Sequence, residues 1–136
     1  MNRPVAPAPT PHPVLRTAAR IGWLALALFF TAFAVLEVVN HGVLALAAAV
    51  LFAIAPDLTM LIGASEGGHG RLSPRAVPYY NAAHRFWVPF ALVVAYSFGP
   101  VNWPPLFAAG LGWLAHIAYD RAFGYGLRDR DGRRRG

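Results

Sequence analysis

The chain contains no cysteine and no lysine, and it has few charges of either sign. The lack of cysteine excludes disulfides, thiolate nucleophiles and Cys-based zinc or iron–sulfur sites. All 12 basic residues are arginine, against 6 acidic ones, for a formal net charge of +6. Only 13% of the 136 residues are charged, where a soluble domain carries ~25%. A soluble chain this short exposes much of its surface, and so few charges could not cover it. Hydrophobic residues make up 57% of the chain, against roughly 45–50% ordinarily. They fall in four blocks of membrane-spanning length. These proportions point to a single-domain, all-α integral membrane protein, and they exclude disorder for its body.

Residues 1–13 are proline-rich and lack a hydrophobic face, as expected of a flexible or polyproline-like tail. Residues 14–127 form the expected membrane domain, with helices at about 21–39, 43–62, 77–98 and 106–125. At ~1.5 Å rise per residue, each is long enough for a ~30 Å hydrocarbon core. Asn40, His41 and Gly42 make a tight turn, Gly63 to Arg75 a glycine-rich polar loop, and Gly99 to Pro105 an uncharged turn. Residues 128–136 are a basic tail.

The arginines set orientation. Arg3, Arg16 and Arg20 flank the first helix, Arg71 and Arg75 lie between the second and third, and Arg128 begins the tail cluster. The other two connections hold none, which predicts a four-helix transmembrane bundle with both termini cytoplasmic. Tyr79, Tyr80, Tyr125 and Trp23 suit one interfacial belt, and Tyr96 and Trp103 the other. Ala32-Phe33-Ala34 has the form of a signal-peptide cleavage site, but the apolar run continues past it to Val39. The basic tail reads as a topology or lipid-contact element, so the expected partner is the bilayer and no nucleic acid is expected.

Ionisable residues inside spanning helices are costly, at roughly 2.5–3.5 kcal/mol for Asp or Arg near the centre, and need partners or water. The second helix carries Asp57, the third Asn81, His84 and Arg85, and the fourth His116, Asp120 and Arg121. Counted from the cytoplasmic ends, Asp57, His84 and Asp120 each lie ~8–10 Å inside. Three helices thus place polar groups in one slab. His116 and Asp120, four apart, share a helix face. Glu37 lies at the opposite depth. Pro56 cannot donate to the carbonyl of Phe52, nor Pro89 to that of Arg85, so each should kink its helix near the slab.

Two readings of the slab stand. It is a buried network in which Asp57 pairs with Arg85 or Arg121 and His116 donates to Asp120. Or Asp57, His84, His116 and Asp120 are the ligands of a divalent metal. His69 reads as a solvated loop residue. Gly67-Gly68-His69-Gly70 lacks the strand and lysine of a phosphate loop. Ser65, Ser73 and Ser97 show no nucleophile signature.

Three segments, Ala55-Pro56-Asp57-Leu58-Thr59-Met60, Tyr80-Asn81-Ala82-Ala83-His84, and Trp113 through Leu127, resemble motifs of the domain of unknown function 4260 family. The resemblance spans about residues 14–127. It implies a small multi-pass helical protein of the bacterial inner membrane and supplies no activity. Thr17 and Ala18 stand where that family usually has an acidic residue. The tail also departs from the family's usual Thr-His-Leu-Gly ending. A looser likeness, in the order Pro56-Asp57, His84-Arg85 and His116 with Asp120, is to inner-membrane metal-dependent hydrolases.

Three functions follow as expectations. The first is a non-enzymatic membrane protein whose Asp/His/Arg cluster is structural or binds a partner. The second is a membrane-embedded metal-dependent hydrolase. Asp57, His84, His116 and Asp120 would surround one ion such as zinc, with one carboxylate, Asp57, serving as general base to keep a coordination position open. Arg85, Arg121 and Asn81 would hold a lipid-like or phosphate-containing substrate. The third is an ion or proton transporter subunit, which with four helices requires a homo-oligomer.

Overall fold

The computed structural model describes residues 6–64 and 71–133. Arg3, the loop residues Ser65 and Gly67 to Gly70 with His69, and the last arginines Arg134 and Arg135 lie outside the described residues. Among the described residues every element is a helix: α1 (Pro13–His41), α2 (Val43–Leu58) with a 3₁₀ turn (Thr59–Leu61), α3 (Val77–Ala83), α4 (Trp87–Phe98) and α5 (Pro104–Ala122).

The first helix starts at Pro13, well before Ile21, because proline fits a first helical turn and His12 caps it by accepting from the Val14 N–H at 3.3 Å. It ends at Gly42, whose φ of 80° suits glycine and which also opens α2. Pro56 lies in the last turn of α2, and the chain tightens there into the 3₁₀ turn. Thr59 Oγ1 donates to the Pro56 carbonyl at 2.7 Å.

The third expected helix, about 77–98, is two helices. The chain opens at His84–Phe86 rather than merely bending. Pro89 has no N–H and its ring excludes the carbonyl four residues back, so it falls in the first turn of α4. Donors from elsewhere satisfy the end of α3. Trp113 Nε1 donates to the Ala83 carbonyl at 2.6 Å and Arg121 to the His84 carbonyl at 3.4 Å.

The core sits on α5. From Ala108 to Ala118 this helix is almost wholly buried and rich in small residues, which lets neighbouring backbones approach. Ala27 and Phe30 of α1 pack on Leu111, Leu114, Ala115 and Ala118. Ala45 and Ala49 of α2 pack on Ala108. Both helices lie extensively against α5 and only slightly against each other, so they splay apart above it. The chain beyond α5 returns to α3. Asn81 Nδ2 donates to the Arg128 carbonyl at 2.8 Å, the Arg128 N–H donates to Asn81 Oδ1 at 2.7 Å, and the Leu72 N–H donates to the Gly132 carbonyl at 2.9 Å.

Both α1 and α2 are long and apolar enough to cross a membrane, and their most apolar stretches are only 11% and 17% buried within the protein. Leu28, Phe29, Leu36, Leu44 and Leu51 face outward. Apolar surface this extensive suits hydrocarbon and not water, as expected of a membrane protein.

Candidate metal centre

Four side chains from three parts of the chain converge beneath the splayed helices. Asp57 comes from the last turn of α2, where Pro56 has already weakened the helical ladder. His84 follows the last residue of α3. His116 and Asp120 stand one turn apart on α5 and face the same way.

The ligand atoms form a compact set. His84 Nε2 lies 3.2 Å from Asp57 Oδ1, 3.2 Å from Asp120 Oδ2 and 3.1 Å from His116 Nε2. His116 Nε2 lies 3.2 Å from Asp57 Oδ1 and 3.3 Å from Asp120 Oδ2. All four atoms are within 4.8 Å of one another. A tetrahedral ion with ligand bonds of ~2.0–2.1 Å needs donor atoms about 3.3–3.4 Å apart. The separations therefore fit a zinc-sized ion.

Hydrogen bonding orients the His84 ring for this. His84 Nδ1 donates to the Tyr80 carbonyl at 2.8 Å, and a carbonyl can only accept, so Nδ1 carries a proton and Nε2 points its remaining site into the cluster. The Tyr80 ring stacks on the imidazole at 3.9 Å between centroids. Backbone partners such as the Tyr80 carbonyl fix ring orientation at metal centres.

Protons alone serve the cluster poorly. Ionised carboxylates only accept, and each Nε2 holds at most one proton. Two facing Nε2 atoms at 3.1 Å need one of them unprotonated. That ring then aims a lone pair at two carboxylate oxygens. A single cation at the centre would meet all four atoms at once and offset the repulsion between the two carboxylates.

The structure thus brings together Asp57, His84, His116 and Asp120. His84 is buried, while the Asp57 side chain is half exposed. The arginine partner expected for Asp57 is neither Arg85 nor Arg121 among the described residues. Asp57 meets the two histidines, Arg121 turns to the His84 carbonyl, and Arg85 is exposed. The expected contact of His116 with Asp120 is present at 3.3 Å. Asn81 engages the Arg128 backbone with both ends of its amide. Glu37 pairs with His41 at 3.5 Å near the α1–α2 turn, away from the cluster.

Two residues near the cluster were read from the sequence for other roles. Tyr80, expected in an interfacial belt, is instead buried against His84, one helical turn before it. Arg128, counted among the topology-setting arginines, is buried with its guanidinium 5.4 Å from the Tyr80 ring centre, donating to the Gly132 carbonyl at 3.3 Å.

The model of the family described as domain of unknown function (DUF4260) matches residues 19–135, and the chain belongs to that family. No curated protein and no solved structure matches it.

Proposed function

We propose that this member of the DUF4260 family is a four-span protein of the bacterial inner membrane that holds one divalent metal ion, most suitably zinc, between α2, the α3–α4 break and α5. The spans are α1, α2, the α3–α4 pair and α5. The arginine distribution supports placing both chain ends in the cytoplasm. The observation that carries the metal reading is the set of five ligand-atom separations between 3.1 and 3.3 Å. Two imidazoles and two carboxylates are a donor set suited to zinc.

The exposure of Asp57 favours a hydrolytic centre over a closed structural one. His84, His116 and Asp120 are the firmly held donors, and Asp57 stands at the open side between two cavities. A bound ion there supplies Lewis-acid polarisation and acidifies water. Asp57 takes the proton of an attacking water and passes it to the leaving oxygen. The water oxygen bonds to the carbonyl carbon or phosphorus as the ester C–O or P–O bond breaks.

The test is elemental analysis of detergent-purified protein. Near-stoichiometric divalent metal is expected in the wild type, and its loss in His84→Ala and His116→Ala variants that still elute as folded protein. Folded wild type with no metal after incubation with zinc overturns the proposal. Asp57→Asn separates the two kinds of centre. Metal retained marks an open site, and metal lost marks a closed one.

A further inference from the structure

The space between the splayed α1 and α2 leads to the metal donors. Val35 and Val38 of α1 and Val50 and Ala53 of α2 wall a cleft of about 580 Å³, with Ala115 and Tyr119 of α5 on its floor. Such a volume is within the range of small-molecule sites, roughly 300–1,000 Å³. Its one hydroxyl pair is internally satisfied, since Thr31 Oγ1 and the Tyr119 hydroxyl are 3.0 Å apart. The cleft therefore offers an apolar lining. Asp57 and Asp120 close one end. The same two carboxylates also line a second cavity of about 270 Å³, with Met60, Tyr80, Tyr125 and Arg128. The donor set is thus the partition between an apolar cleft and a polar, arginine-bearing mouth.

We infer that an anionic bilayer phospholipid occupies this path, its acyl chain in the α1–α2 cleft, its ester region at Asp57 and Asp120, and its headgroup in the mouth beside Arg128. The inference rests on the proposed reading of the site and names its substrate class. Three observations carry it. The walls belong to the two helices apolar enough to cross a membrane, so the open side of the cleft faces hydrocarbon. The cleft joins the mouth at the donor set, which matches the order of tail, linkage and headgroup in a phospholipid. A divalent ion at the donor set would offset the charges of Asp57 and Asp120, and Arg128 then leaves the mouth net positive, complementary to an anionic headgroup.

The experiment uses the full chain in phosphatidylcholine vesicles. These contain phosphatidylglycerol with a diazirine in its acyl chain or, in the second arm, phosphatidylcholine with the same chain. Crosslinks are mapped by mass spectrometry. The expected label falls on the floor residues Ala115 and Tyr119, with roughly fivefold preference for the anionic lipid, from ~1 kcal/mol per arginine near the surface. Val35→Trp and Val50→Trp, which fill the cleft from exposed positions, should abolish floor labelling. They should leave labelling of the exposed Leu51 and Ile54, and the metal content, unchanged. A floor labelled no more than Leu51 and Ile54, labelling insensitive to both tryptophans, equal labelling of metal-loaded protein by both lipids, or floor crosslinks to a second copy would each overturn the inference. A floor labelled by both lipids alike in protein that binds no metal would refute the metal centre and the headgroup preference with it, and leave only the acyl path standing.

Discussion

Replacing Gly112 with alanine should loosen the proposed metal site without touching any of its candidate ligands. A Cβ at Gly112 would overlap the Ala49 carbonyl oxygen and come within 3.0 Å of its carbon and 3.1 Å of the Ala49 Cα. These are backbone atoms, which cannot swing aside. Relief requires α2 and α5 to part by roughly 1 Å to restore ordinary carbon contacts. Gly112, His116 and Asp120 lie in one row along α5, and Ala49, Ala53 and Asp57 in one row along α2. The added separation is therefore transmitted to the Asp57–His116 contact, now 3.2 Å. At about 4 Å, one tetrahedral ion no longer reaches both groups at ~2.0–2.1 Å. Zinc affinity should fall roughly 10- to 100-fold, as for disturbed supporting residues at metal centres. Stability should fall by about 1–3 kcal/mol from overpacking. Competition titration against a zinc chelator reads the affinity. Gly110→Ala is the control, because its Cβ would meet Val93 Cγ2 at 2.7 Å and Leu92 Cδ2 at 3.5 Å, the mobile ends of side chains. It should bind zinc as the wild type does. Unchanged affinity in Gly112→Ala, or equal loss in both variants, would refute the idea that this helix contact sets the site.

Two further outcomes follow from the same geometry. Asn81→Ala leaves the Arg128 N–H and carbonyl without their partners, at about 1–3 kcal/mol for each buried group left unsatisfied. Limited trypsin digestion should then cut after Arg128 and Arg130 faster than in the wild type, while zinc content stays the same. Stripping metal with a chelator should lower the thermal midpoint in detergent, and added zinc should restore it, because an ion bound only by the folded chain stabilises it. An unchanged midpoint in metal-bound and stripped samples would contradict this.

Depth along a helix can be counted from a sequence, and Asp57, His84, His116 and Asp120 were recognisable as one slab for that reason. Whether they touch depends on how the helices are arranged around α5. That arrangement turns on a backbone contact, Gly112 on Ala49, which no local pattern records. The expectation that an arginine would neutralise Asp57 came from charge alone. The structure meets that carboxylate with imidazoles and gives Arg121 to a carbonyl. Pro89 announced a disturbance near Arg85. The full opening between α3 and α4 additionally needed Trp113 to reach the Ala83 carbonyl from α5, a partner thirty positions away in the chain. The fastening of the tail to α3 through Asn81 was invisible for the same reason, since it joins residues 47 apart.

The dependence of α1 and α2 on α5 has a consequence for biogenesis. The hairpin closed by Gly42 is synthesised before α5, yet its two helices have little to hold onto in one another. They are stable in lipid as separate rods, by hydrophobicity alone. Their common platform, α5, leaves the ribosome after both. Insertion and assembly are therefore separated in time. Asp57 is thus in place before its partners, and the four-residue cluster is incomplete until α5 arrives with His116 and Asp120.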